Sequence, residues 1–409
     1  MTPTQLRRIR TRLRDYLEYC FAGMGRHERR EALADYLRGL MLDGERKSMV
    51  PVAARLAHDA GDTEAVRQRL QQAVNVAKWD EGELYRRVAM RAETALPDVD
   101  AFVIDDTGFP KKGKHSVGVQ RQYSGTLGRV DNCQIATSLH LASERGGVCI
   151  GARLFLPESW STDAAKRSKA GVPDEVEHEP KWRTALRLLD RALDWDLPKH
   201  VVLADAGYGD AGEFRQGIRQ REMSYVVGIN GAAVVWPPGQ MPTPPPAKKP
   251  GSMGRPKAKW TDGDAQASTI AELASALPAR AWRKVTWKPG MKTRRTGRFA
   301  AVRIRTAHRH CNGAPPGDEQ WLLCERRPGD KAQEKYYLSN LPKKTALRRL
   351  VYLAKLRWRI ERDYQEMKGE LGLDHFEGRG WRGFHHHFAC VAAAHAFLTM
   401  ERVLSPPKQ

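Results

Sequence analysis

The sequence predicts an α/β protein: a mixed sheet flanked by helices, with a helical region before it and a β-rich subdomain inserted into it. Three observations predict this. Apolar residues repeat at helical spacing over roughly the first 95 residues, as at Leu6, Ile9, Leu13, Leu17 and Cys20, then Leu33, Leu37 and Leu40. From about residue 100, short apolar runs bounded by glycine-rich turns replace that periodicity. A stretch over 236–268 then breaks the pattern, because Pro237, Pro238, Pro242, Pro244, Pro245, Pro246 and Pro250 support neither helix nor central strand.

The chain has 409 residues, more than one ordinary core organises. Its 69 Lys and Arg against 48 Asp and Glu give a formal net charge of +21. Such a balance suits a polyanion, since each phosphate contact releases counterions. Six scattered cysteines form no Cys-x-x-Cys pair, which argues against a zinc site and a disulfide framework and for reduced thiols. The Arg-rich N-terminus has no apolar signal core. The run Phe388 to Met400 is too short for a bilayer, which needs about 20 apolar residues. A cytoplasmic, nucleoid-associated protein with no membrane partner is expected.

Taken in order, residues 1–96 are expected to form a helical DNA-binding domain. Val50 to His58 and Thr63 to Val74, joined at Ala60-Gly61-Asp62, suggest a helix-turn-helix with Asp62 or Thr63 as cap. Its second helix offers Arg67 and Arg69 to phosphates or base edges; a plain helical bundle with a solvated polar face is equally open. Residues 97–230 are expected to form the first part of a core. Ala101 to Ile104 is a strand ending in Asp105-Asp106-Thr107, Ser116 to Gln122 and Cys133 to Leu141 follow, and Val148 to Leu156 is a fourth strand. Pro180 to Trp195 is an amphipathic helix. Val201 to Ala204 is a strand ending in Asp205, Ala211 to Arg221 a helix and Ser224 to Ile229 a strand. That order matches a ribonuclease H-like sheet. Residues 231–335 are the inserted subdomain, with its basic linker at 236–268. Residues 336–409 complete the core through one long helix, Thr345 to Leu371, and a final helix near Phe384 to Val403.

The chemistry rests on acids placed by this order. At about 100° per residue, Leu353, Leu356, Ile360, Met367 and Leu371 form one helical stripe, with Arg357, Glu361 and Lys368 along its edge. Alone, this reads rather as a surface Arg–Glu pair. With Asp105 and Asp205 at strand ends, Glu361 would complete three hard oxygen donors suited to Mg²⁺ or Mn²⁺. Two such ions activate a water or 3′-hydroxyl and stabilise the leaving oxygen. Arg357 and Lys368 would then lie on phosphate.

The stretches Val103 to Ser116, Val130 to Gln134 and Leu203 to Gly209, with Arg357-Trp358-Arg359-Ile360-Glu361 and Lys368, resemble the DDE transposases of bacterial insertion sequences. The resemblance is to the insertion sequence 701 family, in the branch with a β-strand insertion before the glutamate, and runs from about residue 15 to 400. It implies Asp105, Asp205 and Glu361 as catalytic metal ligands, with Asp106 an alternative first ligand. It implies two Mg²⁺ or Mn²⁺ ions per site, and Arg357 and Lys368 from the Tyr-x2-Arg-x3-Glu-x6-Lys signature. The signature's tyrosine is Ala354 here. The implied activity is cleavage of transposon-end DNA and strand transfer into target DNA, performed by a homodimer in a synaptic complex. Trp358 is similar to an aromatic that stacks on a displaced base; a core tryptophan is the other reading.

Further DNA-contact candidates are Lys111, Lys112 and Lys114, with His115, after the first acidic strand, and Arg255 in the Gly254-Arg255-Pro256-Lys257 run. A solvated basic loop and a plain linker are the alternatives. His385-His386-His387 point in different helical directions and are expected to pack or face phosphate rather than share an ion. Two other functions stay open: a silent DNA-binding regulator and a host endonuclease without joining.

Overall fold

Five helices realise the N-terminal periodicity: α1 (Pro3–Phe21), α2 (His27–Met41), α3 (Met49–Leu56), α4 (Thr63–Gln71), continued by a π-helical turn (Gln72–Val76), and α5 (Glu81–Ala95). This computed structural model describes residues 2–240, 242–254, 267–287, 295–307, 317–326 and 334–404. Thr2 and Gln5 close a capping box on α1, whose Leu17 and Cys20 are buried while Leu6 is exposed. The turn between α3 and α4 is held by Asp59, whose Oδ1 accepts from the amides of Gly61 at 2.8 Å and Asp62 at 3.2 Å. The expected cap is therefore corrected. Asp62 keeps helical dihedrals and makes no side-chain cap bond, because Asp59 serves this turn.

The next strands are β1 (Ala101–Pro110), β2 (Gln120–Ser124), β3 (Arg129–Ala142) and β4 (Gly147–Leu154). β3 pairs antiparallel with β1, β2 and β4. Asp105 and Asp106 were expected at a strand end but lie in mid-strand. Ser138 and Thr137 stand opposite them in register, so two hydroxyl residues face the acids. The strand expected over Ser116 to Gln122 is shifted to Gln120–Ser124, because Val119 closes a turn onto the Ser116 carbonyl and Val117 bonds to Arg379. Short helices α6 (Glu158–Ser161) and α7 (Ala164–Ala170) precede α8 (Lys181–Asp194). α8 packs on β3 and β4 and buries Ala185, Leu188, Leu189 and Ala192.

The chain continues through β5 (Val201–Ala204), α9 (Ala206–Gly209), α10 (Gly212–Gln220), β6 (Tyr225–Ile229), β7 (Val234–Trp236) and β8 (Ser268–Thr269). Then come α11 (Ile270–Ala276), β9 (Arg283–Trp287), β10 (Arg295–Thr306), β11 (Gln320–Arg326), β12 (Glu334–Ser339) and α12 (Leu347–Leu356). β5 and β6 are parallel; β6, β12, β11 and β10 follow as antiparallel neighbours, and β10 also pairs with β7 and β9. A Thr269–Glu272 capping box starts α11. α12 rests on β6 and β9.

The chain ends in α13 (Trp358–Gly369) and α14 (Trp381–Leu404). The single helix expected over Thr345 to Leu371 is thus two, interrupted at Arg357. The predicted stripe is nevertheless buried throughout. Its halves serve different cores: α12 packs on β6 and β9, α13 on β1, β3, β4 and α14. Two compact units result, Met1–His200 with Trp358–Gln409, and Val201–Arg357. Cys20, Cys133, Cys149, Cys324 and Cys390 are buried free thiols. Among the described residues, no helix is long and apolar enough to cross a membrane.

Candidate active site

Successive residues of β1 face opposite sides of the sheet, which separates the two neighbouring aspartates. Asp106 faces α8: Thr137 Oγ1 donates to its Oδ1 at 3.0 Å, and Lys181 forms an ion pair with its Oδ2. Asp105 lies on the other side, with α13. There the Tyr364 hydroxyl donates to the Asp105 carbonyl at 3.1 Å and lies 2.7 Å from Ser138 Oγ. Burial pushes the Tyr364 hydroxyl pKa well up, and the nearby charge of Asp105 adds to this. Lys368 Nζ donates to the Gly108 carbonyl at 2.8 Å and to Thr126 Oγ1 at 3.3 Å, 5.4 Å from the centre of the Phe109 ring. Burial lowers the Lys368 pKa to about 8 against an opposing pull from Asp374. Glu361, Tyr364 and Lys368, at i, i+3 and i+7, share one face of α13. That face therefore brings Glu361, which is exposed, to the Asp105 side of β1.

In the second unit Asp205 directly follows β5. Its Oδ1 accepts from the Tyr208 amide at 3.4 Å and so caps α9. This turn sits hard against β6. A Cβ on Gly209 would collide with the Gly228 carbonyl oxygen and lie 3.0 Å from Gly228 C; one on Gly228 would lie 2.7 Å from the Ala206 nitrogen. Asp210 Oδ1 accepts from the Asn230 amide at 2.8 Å, and buried Arg215 donates to the Gly209 carbonyl. Burial lowers the Arg215 pKa. Asp205 and Arg357 thus belong to one unit, Asp105 and Glu361 to the other. Among the described residues no three His, Cys, Asp or Glu side chains gather closely enough to hold an ion. The donor set itself, two aspartates and a glutamate, has the hard-oxygen chemistry of a Mg²⁺ or Mn²⁺ site.

A family model described as DDE superfamily endonuclease matches residues 20–294. The chain belongs to that superfamily. The matched span contains Asp105 and Asp205 and stops before Glu361. Over 197 residues the chain is 27% identical to the probable transposase for insertion sequence element IS701 of Microchaete diplosiphon. That stretch covers 47% of this chain and 46% of the relative, about half of each.

The remaining candidates of this DDE superfamily chain are dispersed. Arg67 pairs with Glu64 at 2.6 Å and Arg69 with Asp35 at 2.8 Å. Lys111 is committed to the Phe376 carbonyl at 2.8 Å, and burial lowers its pKa. It anchors the loop that leaves Lys112, Lys114 and His115 exposed. Trp358 is half-buried, with the Arg359 guanidinium 4.8 Å from the ring centre. Ala354 is buried in α12. Arg255 lies outside the described residues. His385, His386 and His387 are packed: they bond to the Trp381 carbonyl, the Val74 and Trp79 carbonyls, and the Leu373 carbonyl with the Tyr36 hydroxyl. Sequence reasoning missed His140, Lys181, Asp363 and Tyr364. Only Tyr364, one turn from Glu361, carried a local signal.

Proposed function

We propose that this chain is a DNA transposase that cleaves the ends of its element and joins them to target DNA. The observation that carries the reading is the sidedness of β1: Asp105 lies on the side of the helix bearing Glu361, while Asp106 is turned away to Lys181. Family membership supports it, and so does the capped acid Asp205 directly after a strand. The core is read as ribonuclease H-like.

Asp105, Asp205 and Glu361 would hold Mg²⁺ or Mn²⁺, two ions per site. Bound there, the ions supply a Lewis acid for the attacking and leaving oxygens of phosphodiester hydrolysis and transesterification. Asp105 takes the first position in preference to Asp106, whose carboxylate already has an ammonium and a hydroxyl. Arg357, Lys368, Lys112 and Lys114 would lie along the phosphates and Trp358 on a base, with the element ends and target as double-stranded partners and a homodimer holding paired ends. Residues 1–96 would bind the end sequence.

Purified Asp205→Asn and Glu361→Gln chains, assayed on end DNA with Mg²⁺, test the reading. Cleavage should fall below detection in both. Full activity in either refutes the assignment.

A further inference from the structure

The Asp105 side of the first unit holds a buried polar chain that the proposed reaction does not itself use. His140 on β3 presents Nδ1 to Asp363 Oδ2 at 2.8 Å and Nε2 to Ser138 Oγ at 3.0 Å. Ser138 Oγ lies 2.7 Å from the Tyr364 hydroxyl, which reaches the Asp105 carbonyl at 3.1 Å. Ser138 and His140 are 0% exposed and Asp363 is 3% exposed. The donors can be ordered. A carbonyl only accepts, so the tyrosine proton points to Asp105, and Ser138 Oγ then donates to Tyr364. The Asp363 carboxylate closes the far end.

Such a chain is costly to bury unless every member is bonded, and an apolar cluster of equal volume would fill the space at less cost. What directional bonds add is register. Two adjacent residues of α13, one position beyond the neighbour of Glu361, are tied to two residues of β3, and one of them also to β1. The sheet makes room for this arrangement. A Cβ on Gly147, at the start of β4, would collide with the Asp363 carboxylate and lie 2.7 Å from Arg359 Cγ.

We propose that Asp363, His140, Ser138 and Tyr364 are positioning residues that fix the rotation and height of the Glu361 helix against β1 at Asp105. They thereby set the spacing of those two carboxylates. This rests on the reading of Asp105 and Glu361 as metal ligands.

The test is Mn²⁺ binding to the full chain, followed by the electron paramagnetic resonance of free Mn²⁺, with the metal-free melting temperature measured alongside. Tyr364→Phe removes one hydroxyl and keeps the ring; Ser138→Ala is the second variant. Each should weaken Mn²⁺ binding about tenfold, the lower end of what partners behind metal ligands contribute. Wild-type Mn²⁺ affinity in both variants, with or without a lower melting temperature, overturns the proposal, provided Asp105→Asn loses binding. If Asp105→Asn also binds as wild type, the ligand assignment falls and this inference with it.

Discussion

Replacing Gly209 with alanine adds one methyl where the Asp205 turn meets β6. That carbon would run into the Gly228 carbonyl oxygen and lie 3.0 Å from Gly228 C and 3.1 Å from Val227 Cβ. Carbon pairs are comfortable at about 3.5–4.0 Å, and the carbonyl oxygen is the nearest obstacle, so the turn or the strand must retreat by at least about 1 Å. Two of the three obstacles are backbone atoms, which cannot rotate away. The cost therefore belongs at the upper end of overpacking, about 3 kcal/mol. That lowers the melting temperature by roughly 6–12 °C if this unit melts as one. A carboxylate moved by about 1 Å should also lose on the order of 100-fold in cleavage rate. Gly207→Ala is the comparison for melting alone, since its Cβ would meet only the Asp205 side chain, Oδ1 at 3.1 Å, and Gly207 keeps a negative φ within α9. Calorimetry on both variants and a cleavage assay on Gly209→Ala decide the matter. A Gly209→Ala chain with wild-type melting and cleavage refutes the reasoning.

Asp106→Asn should keep cleavage within a few-fold of wild type, because its carboxylate serves Lys181 and Thr137; loss equal to that of Asp105→Asn, in the same assay, would return Asp106 to the ligand set. Glu366 gives a pH prediction. Burial raises its pKa, but His395 and Arg402 outweigh this and hold it below the usual carboxylate range. Its contribution is thus present above the ordinary value of about 4.3 and lost as pH falls below that toward the lowered value. Glu366→Gln should cost about 1 kcal/mol at pH 7, after allowing for solvent screening of a half-buried carboxylate. The gap in melting temperature from wild type should narrow at pH 3; a gap independent of pH contradicts the ion-pair account.

Some features were legible because they are local. Val201 to Ala204 is apolar and stops at an aspartate, so both β5 and the acid after it follow from adjacent residues. The buried stripe of α12 and α13 follows from spacing alone. Other features depend on partners distant in sequence. Asp105 and Asp106 read as a strand end because acids interrupt an apolar run, yet Ser138 and Thr137 across the ladder accommodate them. The break at Arg357 has no proline or glycine to announce it; it comes from the two cores on which the halves pack. His140 and Asp363 are 223 residues apart, and neither looks unusual where it stands. Lys111 reads as a solvated loop cation until Phe376 supplies its carbonyl.

The first unit is assembled from two stretches of chain with all of Val201–Arg357 between them. The bond from Tyr364 to Asp105 spans 259 positions, and α14, most of whose 24 residues are buried, packs against α2, α5 and β4. A ribosome delivers β1 long before it delivers the helices that cover it, so the early-made half waits with an open apolar face. The α13 helix reaches β1 only after all of Val201–Arg357 has been made. A translation product broken off before Trp358 retains two of the three acids but lacks both the third and the helix that closes the core around β4.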